Sequence, residues 1–322
     1  MVCCVWVMSE ELPRSASELV ALAAKQHGLM THVQASSAGY SRTAISRLVR
    51  SGVWEMVRPR VFRRAAASQT EGQALLAVCL WLKGDTLVSH RSAAKFLGLD
   101  VAAEKLEVTR SPLSPFKAPG VLVHRSRTVD AVDRKVVRGI PVTTGARTII
   151  DLASCLPEDE LAIVVEEARR RRIASPDWVE RRLDQLDARG RRTALLSEIL
   201  ADCRARKAPL ESALEVRVWR LIKRSKLPLP VAGYEFRDDF GQPGRIDFAY
   251  PEQNLAIEAD GYEFHSDREA FERDRVRISR LAALGWRVMV LTRRQLDQQP
   301  RDVVERLRQA LQFRSEEQPS RS

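Results

Sequence analysis

The segment between residues 209 and 297 constrains the fold most, because acidic residues recur there at fixed places on apolar strands. Its residue periodicity predicts one helix and then four strands, separated by turns that contain glycine or proline. These elements are Glu211–Ile222, Val231–Arg237, Arg245–Ala249, Leu255–Gly261 and Trp286–Thr292, with a charged helix before the last strand. The pattern predicts an α/β domain in which the acidic residues lie on a sheet.

Three carboxylates in this segment are the candidate metal ligands. Asp247 lies on one predicted strand, and Glu258 and Asp260 alternate on the next, so both point to the same face. Carboxylates on adjacent strands repel each other and lose hydration when they are partly buried. A divalent cation removes that repulsion, and Mg²⁺ (or Mn²⁺) is the natural choice because it takes oxygen ligands. His265, just beyond Gly261, would take a proton from an attacking water.

This order of elements resembles the PD-(D/E)XK nuclease fold. More specifically, it resembles the family of uncharacterised domains related to very-short-patch-repair (Vsr) endonucleases. The matching motifs are Asp247–Ala249, Ile257–Gly261, His265, Asp274-x-x-Arg277 and Gly285–Val288. The resemblance implies that Asp247 is the main metal ligand, that Glu258 and Asp260 complete or support the site, and that His265 is the base or positions the water. It also implies that Arg277 steadies a phosphate and that Glu215 is the acidic residue of the first helix.

One departure from the nuclease pattern concerns the residue two places after the second acid. A lysine is expected there, and this chain has Asp260. Vsr-like relatives also lack that lysine, so its absence favours the subfamily. Transition-state charge would then be stabilised by the metal, by His265 and by Arg245 or Arg268. In the alternative interpretation, Asp247 and Glu258 only cap strands or pair with Arg245, Arg268 or Arg273 in a fold that no longer cuts.

The first seventy residues predict three helices followed by a β-hairpin. The first helix runs from a cap at Ser15 or Ser17 to about His27, and the second is Val33–Ala38. The third helix is Arg42–Arg50, capped by Ser41. The hairpin strands are Val53–Val57 and Val61–Arg64. This arrangement is typical of a winged helix-turn-helix, whose third helix enters the major groove while the wing holds phosphates. The candidate DNA-binding residues are Arg42, Thr43, Ser46, Arg47 and Arg50 on the third helix and Arg58 and Arg60 at the hairpin tip. Alternatively, this is a small helical domain whose arginines only face water.

Residues 71–156 predict a helix, Glu71–Leu82, and strands at Leu106–Thr109 and Gly120–Arg125. The block Ser89–Ala94, the Val-His-Arg strand and the segment Gly139–Ala153 resemble the AbiEi family. Members of that family are transcriptional-repressor antitoxins of type IV toxin–antitoxin systems. The resemblance implies repressor-like DNA binding, with a cognate toxin as partner. His90 and His124 have no partner at ligand spacing, which favours a structural role for both.

Composition and charge limit the class of partner. The chain has 322 residues with 53 Lys and Arg against 42 Asp and Glu, a net charge of +11 and a pI near 9.8, which favours a polyanionic partner. No apolar run reaches the ~20 residues that span a bilayer, which predicts no membrane partner. The five cysteines are odd in number and form no Cys-x-x-Cys motif, which favours a reduced, cytoplasmic protein. Met8 is a candidate start, with residues 1–8 disordered or mis-started.

Together these features predict an α+β multidomain protein. The predicted parts are a winged helix-turn-helix at 1–70, an α+β middle domain at 71–156, a charged helical connector at 157–206, an α/β PD-(D/E)XK (restriction endonuclease-like) domain at 207–312 and a disordered tail at 313–322. The leading function is Mg²⁺-dependent cleavage of double-stranded DNA, and a double-strand cut would favour a homodimer. The alternative is an AbiEi-like regulator or antitoxin whose nuclease-like domain does not cut. RNA processing is a weaker third interpretation, because no RNA-binding module is present in the sequence.

Overall fold

The computed structural model describes residues 12–110, 118–186, 193–206, 208–237, 241–260 and 268–312. The chain is mixed α+β and divides into two compact units. Unit 1 comprises Met1–Leu156 and Ile173–Ser197, and unit 2 comprises Pro157–Arg172 and Glu198–Ser322. Among the described residues, no helix is both long and apolar enough to cross a membrane.

The helices of the described residues, in chain order, are α1 (Ala16–Lys25), α2 (His32–Ser37), α3 (Arg42–Arg50), α4 (Glu71–Leu82), α5 (His90–Phe96), α6 (Gly145–Leu152), α7 (Glu158–Arg170), α8 (Pro176–Gln185), α9 (Thr193–Ala205), α10 (Ala213–Arg224), α11 (Arg268–Ala283), α12 (Arg293–Gln298) and α13 (Pro300–Gln312). The strands are β1 (Leu29–Thr31), β2 (Trp54–Arg58), β3 (Val61–Arg64), β4 (Thr86–Val88), β5 (Leu106–Arg110), β6 (Val121–Arg125), β7 (Arg134–Val137), β8 (Ile140–Thr143), β9 (Val231–Arg237), β10 (Pro243–Tyr250), β11 (Leu255–Asp260) and β12 (Arg287–Thr292).

The first part of unit 1 packs α1, α2 and α3 on a three-stranded sheet. The strand order is β1-β3-β2, and both pairings are antiparallel. Serine and threonine side chains cap each of the three helices by accepting a backbone hydrogen bond, which satisfies amides that the first turn leaves unpaired. The core beneath them is apolar and includes Leu19, Met30, Ile45, Trp54 and Phe62. Burial of these side chains fixes the position of α3 on the sheet.

The second part of unit 1 is built on a five-stranded sheet of order β6-β5-β4-β8-β7. The β5–β6 and β4–β8 pairs are parallel, and the other pairs are antiparallel. Helix α4 begins after Thr70, whose hydroxyl accepts from the Gln73 amide, and buries Leu75, Leu76 and Val78. The strands β4, β7 and β8 were not predicted, because each has only three or four residues and shows little alternation.

Unit 2 has a four-stranded sheet of order β12-β11-β10-β9. Strands β9, β10 and β11 form an antiparallel meander, and β12 joins β11 in parallel after the long helix α11. Helix α10 contacts β11 and α7. The Trp219 ring of α10 lies 6.2 Å from the Phe248 ring of β10.

The arginine run that ends α7 makes contacts within unit 2. Arg169 donates to the Arg206 carbonyl at 2.9 Å, and Arg170 donates to the Leu210 carbonyl at 3.2 Å. Arg171 pairs with Glu167 one turn earlier in the helix. Cationic side chains at a helix C-terminus also interact favourably with the helix dipole. The described contacts of this run are therefore structural ones.

Candidate metal centre and nucleic-acid interface

Strand pairing in unit 2 brings Asp247 and Glu258 to the same part of the sheet. Strands β10 and β11 are antiparallel, with Phe248 opposite Ile257, so one step along the register places Asp247 opposite Glu258. An Asp247 carboxylate oxygen accepts a hydrogen bond from the Ala259 amide at 2.9 Å. The two carboxylates therefore meet across adjacent strands.

A single guanidinium bridges the two carboxylates. Nη2 of Arg277, on α11, lies 2.5 Å from Glu258 Oε2 and 3.7 Å from Asp247 Oδ1. The same nitrogen donates to the Arg245 carbonyl at 2.6 Å. Glu258 is 8% exposed, so its negative charge is largely removed from water. The position between the carboxylates thus favours a positive charge.

Burial shifts the acidity of two carboxyl groups at this site. It raises the pKa of Asp247, an effect that the Ala259 amide and the guanidinium groups of Arg277 and Arg245 partly oppose. Burial also raises the pKa of Glu215, and the charge of Asp247 raises it further. Mutual repulsion and poor solvation of this kind are what a bound cation would relieve.

Helix α10 supplies Glu215 from its first turn. The Ser212 hydroxyl accepts from the Glu215 amide at 3.0 Å, and Glu215 Oε2 accepts from the Glu211 amide at 3.0 Å. Both bonds satisfy amides at the beginning of the helix. One carboxylate oxygen of Glu215 therefore stabilises the helix terminus, while its charge interacts with that of Asp247.

Arg245 takes a fixed position beside these acids. Its side chain pairs with Glu211 and crosses β9 at Gly233, which has φ +65°. A Cβ at Gly233 would lie 2.9 Å from Arg245 Nε, so a larger residue there would displace the guanidinium. Sequence inspection singled out Arg245 but not this glycine, because the close approach depends on the pairing of β9 and β10.

Of the other predicted residues of this site, Asp260 lies within the described residues. Asp260 ends β11, two residues beyond Glu258, and is half-buried opposite Thr292 of β12. His265 lies outside the described residues, as do the side chains of Arg268 and Arg273. The described donors, Asp247, Glu258 and Glu215, offer only oxygen atoms, the ligand type that a hard divalent cation such as Mg²⁺ or Mn²⁺ prefers. No three of the described acids at this site have their ligand atoms all within 4.8 Å of one another, so the structure brings Asp247 and Glu258 together without a third described ligand.

The polar face of α3 is the candidate nucleic-acid interface in unit 1. Ser41 caps the helix by accepting from the Ala44 amide at 3.1 Å, and Ile45 anchors it in the core. All five predicted residues on this helix are exposed: Arg42, Thr43, Ser46, Arg47 and Arg50. Helical spacing puts cations and hydroxyl groups on the face opposite the core.

The two arginines at the hairpin tip differ in their surroundings. Arg60 is exposed and has φ +63° in the tight turn between β2 and β3. Arg58 is half-buried, with its guanidinium carbon 5.8 Å from the centre of the Trp81 ring on α4. Arg60 is thus the more accessible of the two to a phosphate.

Comparison with known families distinguishes the two ends of the chain. Residues 17–65 match the family described as "Transcriptional regulator, AbiEi antitoxin", and residues 227–311 match the family described as REase_MTES_1575, a restriction endonuclease-like domain. The chain joins an AbiEi regulator domain to a restriction endonuclease-like domain. Both predicted resemblances are confirmed at that level. The AbiEi match ends at residue 65, so the resemblance of the middle segment to AbiEi proteins stays a prediction.

The restriction endonuclease-like match contains most of the carboxylate site. Asp247, Glu258, Asp260 and Arg277 all lie within residues 227–311, while Glu215 precedes them. Two proteins described as uncharacterised, from Mycobacterium tuberculosis strains CDC 1551 and H37Rv, are each 28% identical to this chain over 224 residues. That alignment covers 67% of this chain and 77% of each relative. The AbiEi and endonuclease-like matches together support DNA as the partner.

Proposed function

We propose that this protein is a metal-dependent DNA endonuclease that binds duplex DNA through an N-terminal winged helix-turn-helix. The observation that carries the proposal is the pair Asp247 and Glu258, which lie on adjacent strands of the endonuclease-like domain. The guanidinium of Arg277 bridges their two carboxylates. Two poorly hydrated carboxylates at one place are costly for a fold to keep. Metal binding accounts for their presence.

The topology of unit 2 supports a PD-(D/E)XK core of the Vsr-like type. Helix α10 precedes the antiparallel meander of β9, β10 and β11, and α11 leads to the parallel strand β12. We propose that Asp247, Glu258 and Asp260 hold Mg²⁺ or Mn²⁺ and that Glu215 supports the site from α10. A bound divalent ion would polarise the scissile phosphate and lower the pKa of a bound water.

The protein's own residues would carry the remaining steps. His265 would accept the proton of the attacking water, in the role that the Vsr-like resemblance gives it. Arg277 would move from the carboxylates to a phosphate oxygen once a cation neutralises them, because a guanidinium is a good partner for phosphate. Arg245, held by Glu211 and by the space at Gly233, would stabilise developing charge.

The winged-helix part of the proposal rests on α3 and the hairpin of β2 and β3. An exposed face with three arginines and two hydroxyl side chains suits a duplex, since cations neutralise phosphates and hydroxyl groups donate to phosphates or bases. Strand β1, between α1 and α2, completes the small sheet expected behind such a wing. The boundaries at residues 70, 156 and 206 belong to this proposal as well.

A regulator that does not cut is the second candidate. The AbiEi match at residues 17–65 favours it, and so does Arg277, whose single positive charge already offsets part of the negative charge of the two carboxylates. In that case the protein would bind an operator, a cognate toxin would be its partner, and added metal would change nothing. A homodimer is compatible with either candidate.

Plasmid cleavage separates the two candidates. Supercoiled DNA is incubated with the wild type or with Asp247→Ala in Mg²⁺, in Mn²⁺ or in EDTA. We expect nicking or linearisation by the wild type that needs the metal and is abolished in Asp247→Ala. Firm, salt-sensitive binding with no cutting in any metal would favour the regulator instead.

A further inference from the structure

A second cluster of metal-ligating side chains lies in unit 1, outside the endonuclease-like match. His90 begins α5, Glu107 lies on β5 and His124 lies on β6. One ligand atom from each of the three lies within 4.8 Å of those of the other two. His90 and Glu107 are buried and His124 is half-buried. The histidines therefore have each other and a carboxylate as neighbours, which their sequence spacing did not reveal.

Strand pairing assembles this cluster. Strands β5 and β6 are parallel, with Thr109 opposite His124, and Glu107 lies two residues earlier on the same face as Thr109. His124 Nε2 lies 2.8 Å from Glu107 Oε2. The imidazole rings of His90 and His124 are stacked, with centres 3.4 Å apart and planes 11° apart.

Further polar groups orient the three side chains. The Ser89 hydroxyl lies 3.0 Å from His90 Nδ1 and accepts from the Thr109 hydroxyl at 2.8 Å. The other Glu107 oxygen lies 3.5 Å from an Arg91 nitrogen. In known metal sites, hydrogen-bonded partners outside the ligand set orient the ligating side chains.

His90 also has a strained backbone. Its φ is +50°, in the left-handed region that residues with a side chain rarely adopt. Strain of this kind is concentrated at active sites and ligand sites, where the surrounding structure maintains it. Here it directs one imidazole against another imidazole and close to a buried carboxylate.

We propose that His90, Glu107 and His124 bind a divalent transition-metal ion of the zinc type. Two imidazoles and one carboxylate are a known zinc ligand set, whereas Mg²⁺ takes almost only oxygen. If the Nδ1 proton of His90 is donated to the Ser89 hydroxyl, Nε2 would be the ligand atom of this histidine. Ligand atoms around tetrahedral zinc lie about 3.3 Å apart, so imidazole rotations that move these atoms by about an ångström close the site.

This site is chemically distinct from the carboxylate site of unit 2. The cluster in unit 1 contains nitrogen donors and suits zinc, while the described donors of the carboxylate site are all oxygen atoms and suit magnesium. The two sites can therefore be measured separately in one chain. The zinc proposal does not depend on nuclease activity.

The test is calorimetric titration of Zn²⁺ into full-length protein that carries no histidine tag and has been stripped with EDTA. Asp247→Asn is present throughout to weaken the carboxylate site, and excess Mg²⁺ is added. We expect one zinc ion per chain, no such binding in His124→Ala and Glu107→Gln, and retention of it in His32→Ala, a matched histidine on α2. Thr109→Val should weaken binding by about 10–100-fold through its effect on Ser89.

Circular dichroism distinguishes loss of the site from loss of the fold. His124 is the partly exposed member, with 26% of its side chain accessible, so His124→Ala is the variant expected to remain folded. Unchanged zinc binding in a folded His124→Ala variant would overturn the proposal. So would the finding that the Asp247→Asn protein binds no more zinc than the double variant Asp247→Asn, His124→Ala. Co²⁺ gives a second readout, because a thiolate charge-transfer band would assign the ion to a cysteine instead.

Discussion

Asp247 is the residue whose substitution tests the proposed metal site most directly. Its carboxylate faces Glu258, interacts with Glu215 and lies close to Arg277. Burial is the largest cause of its raised pKa, so the carboxyl group holds its proton more tightly in the folded protein than in the unfolded chain. At neutral pH the ionised group therefore lowers the stability of the metal-free fold.

The first prediction follows from the sign of that shift. A carboxyl whose pKa is higher in the folded state contributes stability at low pH, and that stability is lost as pH rises through the raised pKa. Asp247→Asn should therefore raise the melting temperature in EDTA at pH 7, with a gain that shrinks toward about pH 4, the ordinary range of an aspartate. The asparagine carbonyl still accepts from the Ala259 amide.

Calorimetry across this pH range measures the effect, with Glu252→Gln as control because Glu252 is an exposed acid in the same unit. Added Mg²⁺ should then stabilise the wild type more than Asp247→Asn. A variant that is less stable than the wild type in EDTA at pH 7 would mean that Arg277 stabilises the ionised carboxylate more than burial destabilises it.

At the scale of single elements, the proposed function makes α3 the helix through which unit 1 recognises DNA. Replacing Arg42 and Arg47 with alanine removes two exposed cations and leaves Ile45 in the core. We expect weaker binding to all sequences and a shallower dependence of log K on log salt, by about 0.9 for each DNA phosphate that is no longer neutralised. Fluorescence anisotropy at several salt concentrations measures both.

The matched control is the double variant Arg125→Ala, Arg127→Ala, which removes two exposed arginines of unit 1 outside the AbiEi match. Its affinity and salt slope should differ little from those of the wild type. An equally weakened affinity in the control and in the α3 variant would assign binding to net charge, and unchanged binding in the α3 variant would place the interface elsewhere.

Helix α6 provides a test of packing in unit 1. Gly145 is its first residue, and a Cβ there would lie 2.4 Å from the Ile173 carbonyl oxygen. Gly145→Ala should lower the free energy of unfolding by about 1–3 kcal/mol, as overpacking does. Gly72→Ala, in the first turn of α4, is the comparison: the added methyl meets only side-chain atoms, at 3.2 Å, and alanine favours a helix.

Urea denaturation compares the two variants. An effect of Gly145→Ala no larger than that of Gly72→Ala would mean that Ile173 moves away from α6 at little cost.

Elements with strong local signals were predictable, and elements made by distant pairing were not. Helices α3 and α4 have the predicted bounds, because Ser41 and Thr70 cap them and apolar residues recur at helical spacing. Strand β1 has three residues, and its pairing with β3 is not visible in its sequence. The same limit applies to the site residues: alternation predicted that Glu258 and Asp260 share a face, but only the fold places Arg277 against Glu258 and stacks His90 on His124.

At the scale of the whole molecule, the proposed function assigns different tasks to the two ends of the chain. The AbiEi match lies in unit 1 and the endonuclease-like match in unit 2. Affinity for DNA should depend on α3 and cleavage on Asp247 and Glu258. Substitutions in α3 should leave cleavage measurable, and substitutions of Asp247 or Glu258 should leave DNA binding measurable.

The most direct test measures binding and single-turnover cleavage of one labelled duplex by three proteins in Mg²⁺. These are the wild type, Asp247→Asn and the Arg42→Ala, Arg47→Ala double variant. We expect Asp247→Asn to bind like the wild type without cutting, and the double variant to bind weakly but to cut at saturating concentration. Cleavage by Asp247→Asn at the wild-type rate, or firm binding by the wild type with no cleavage, would contradict the account.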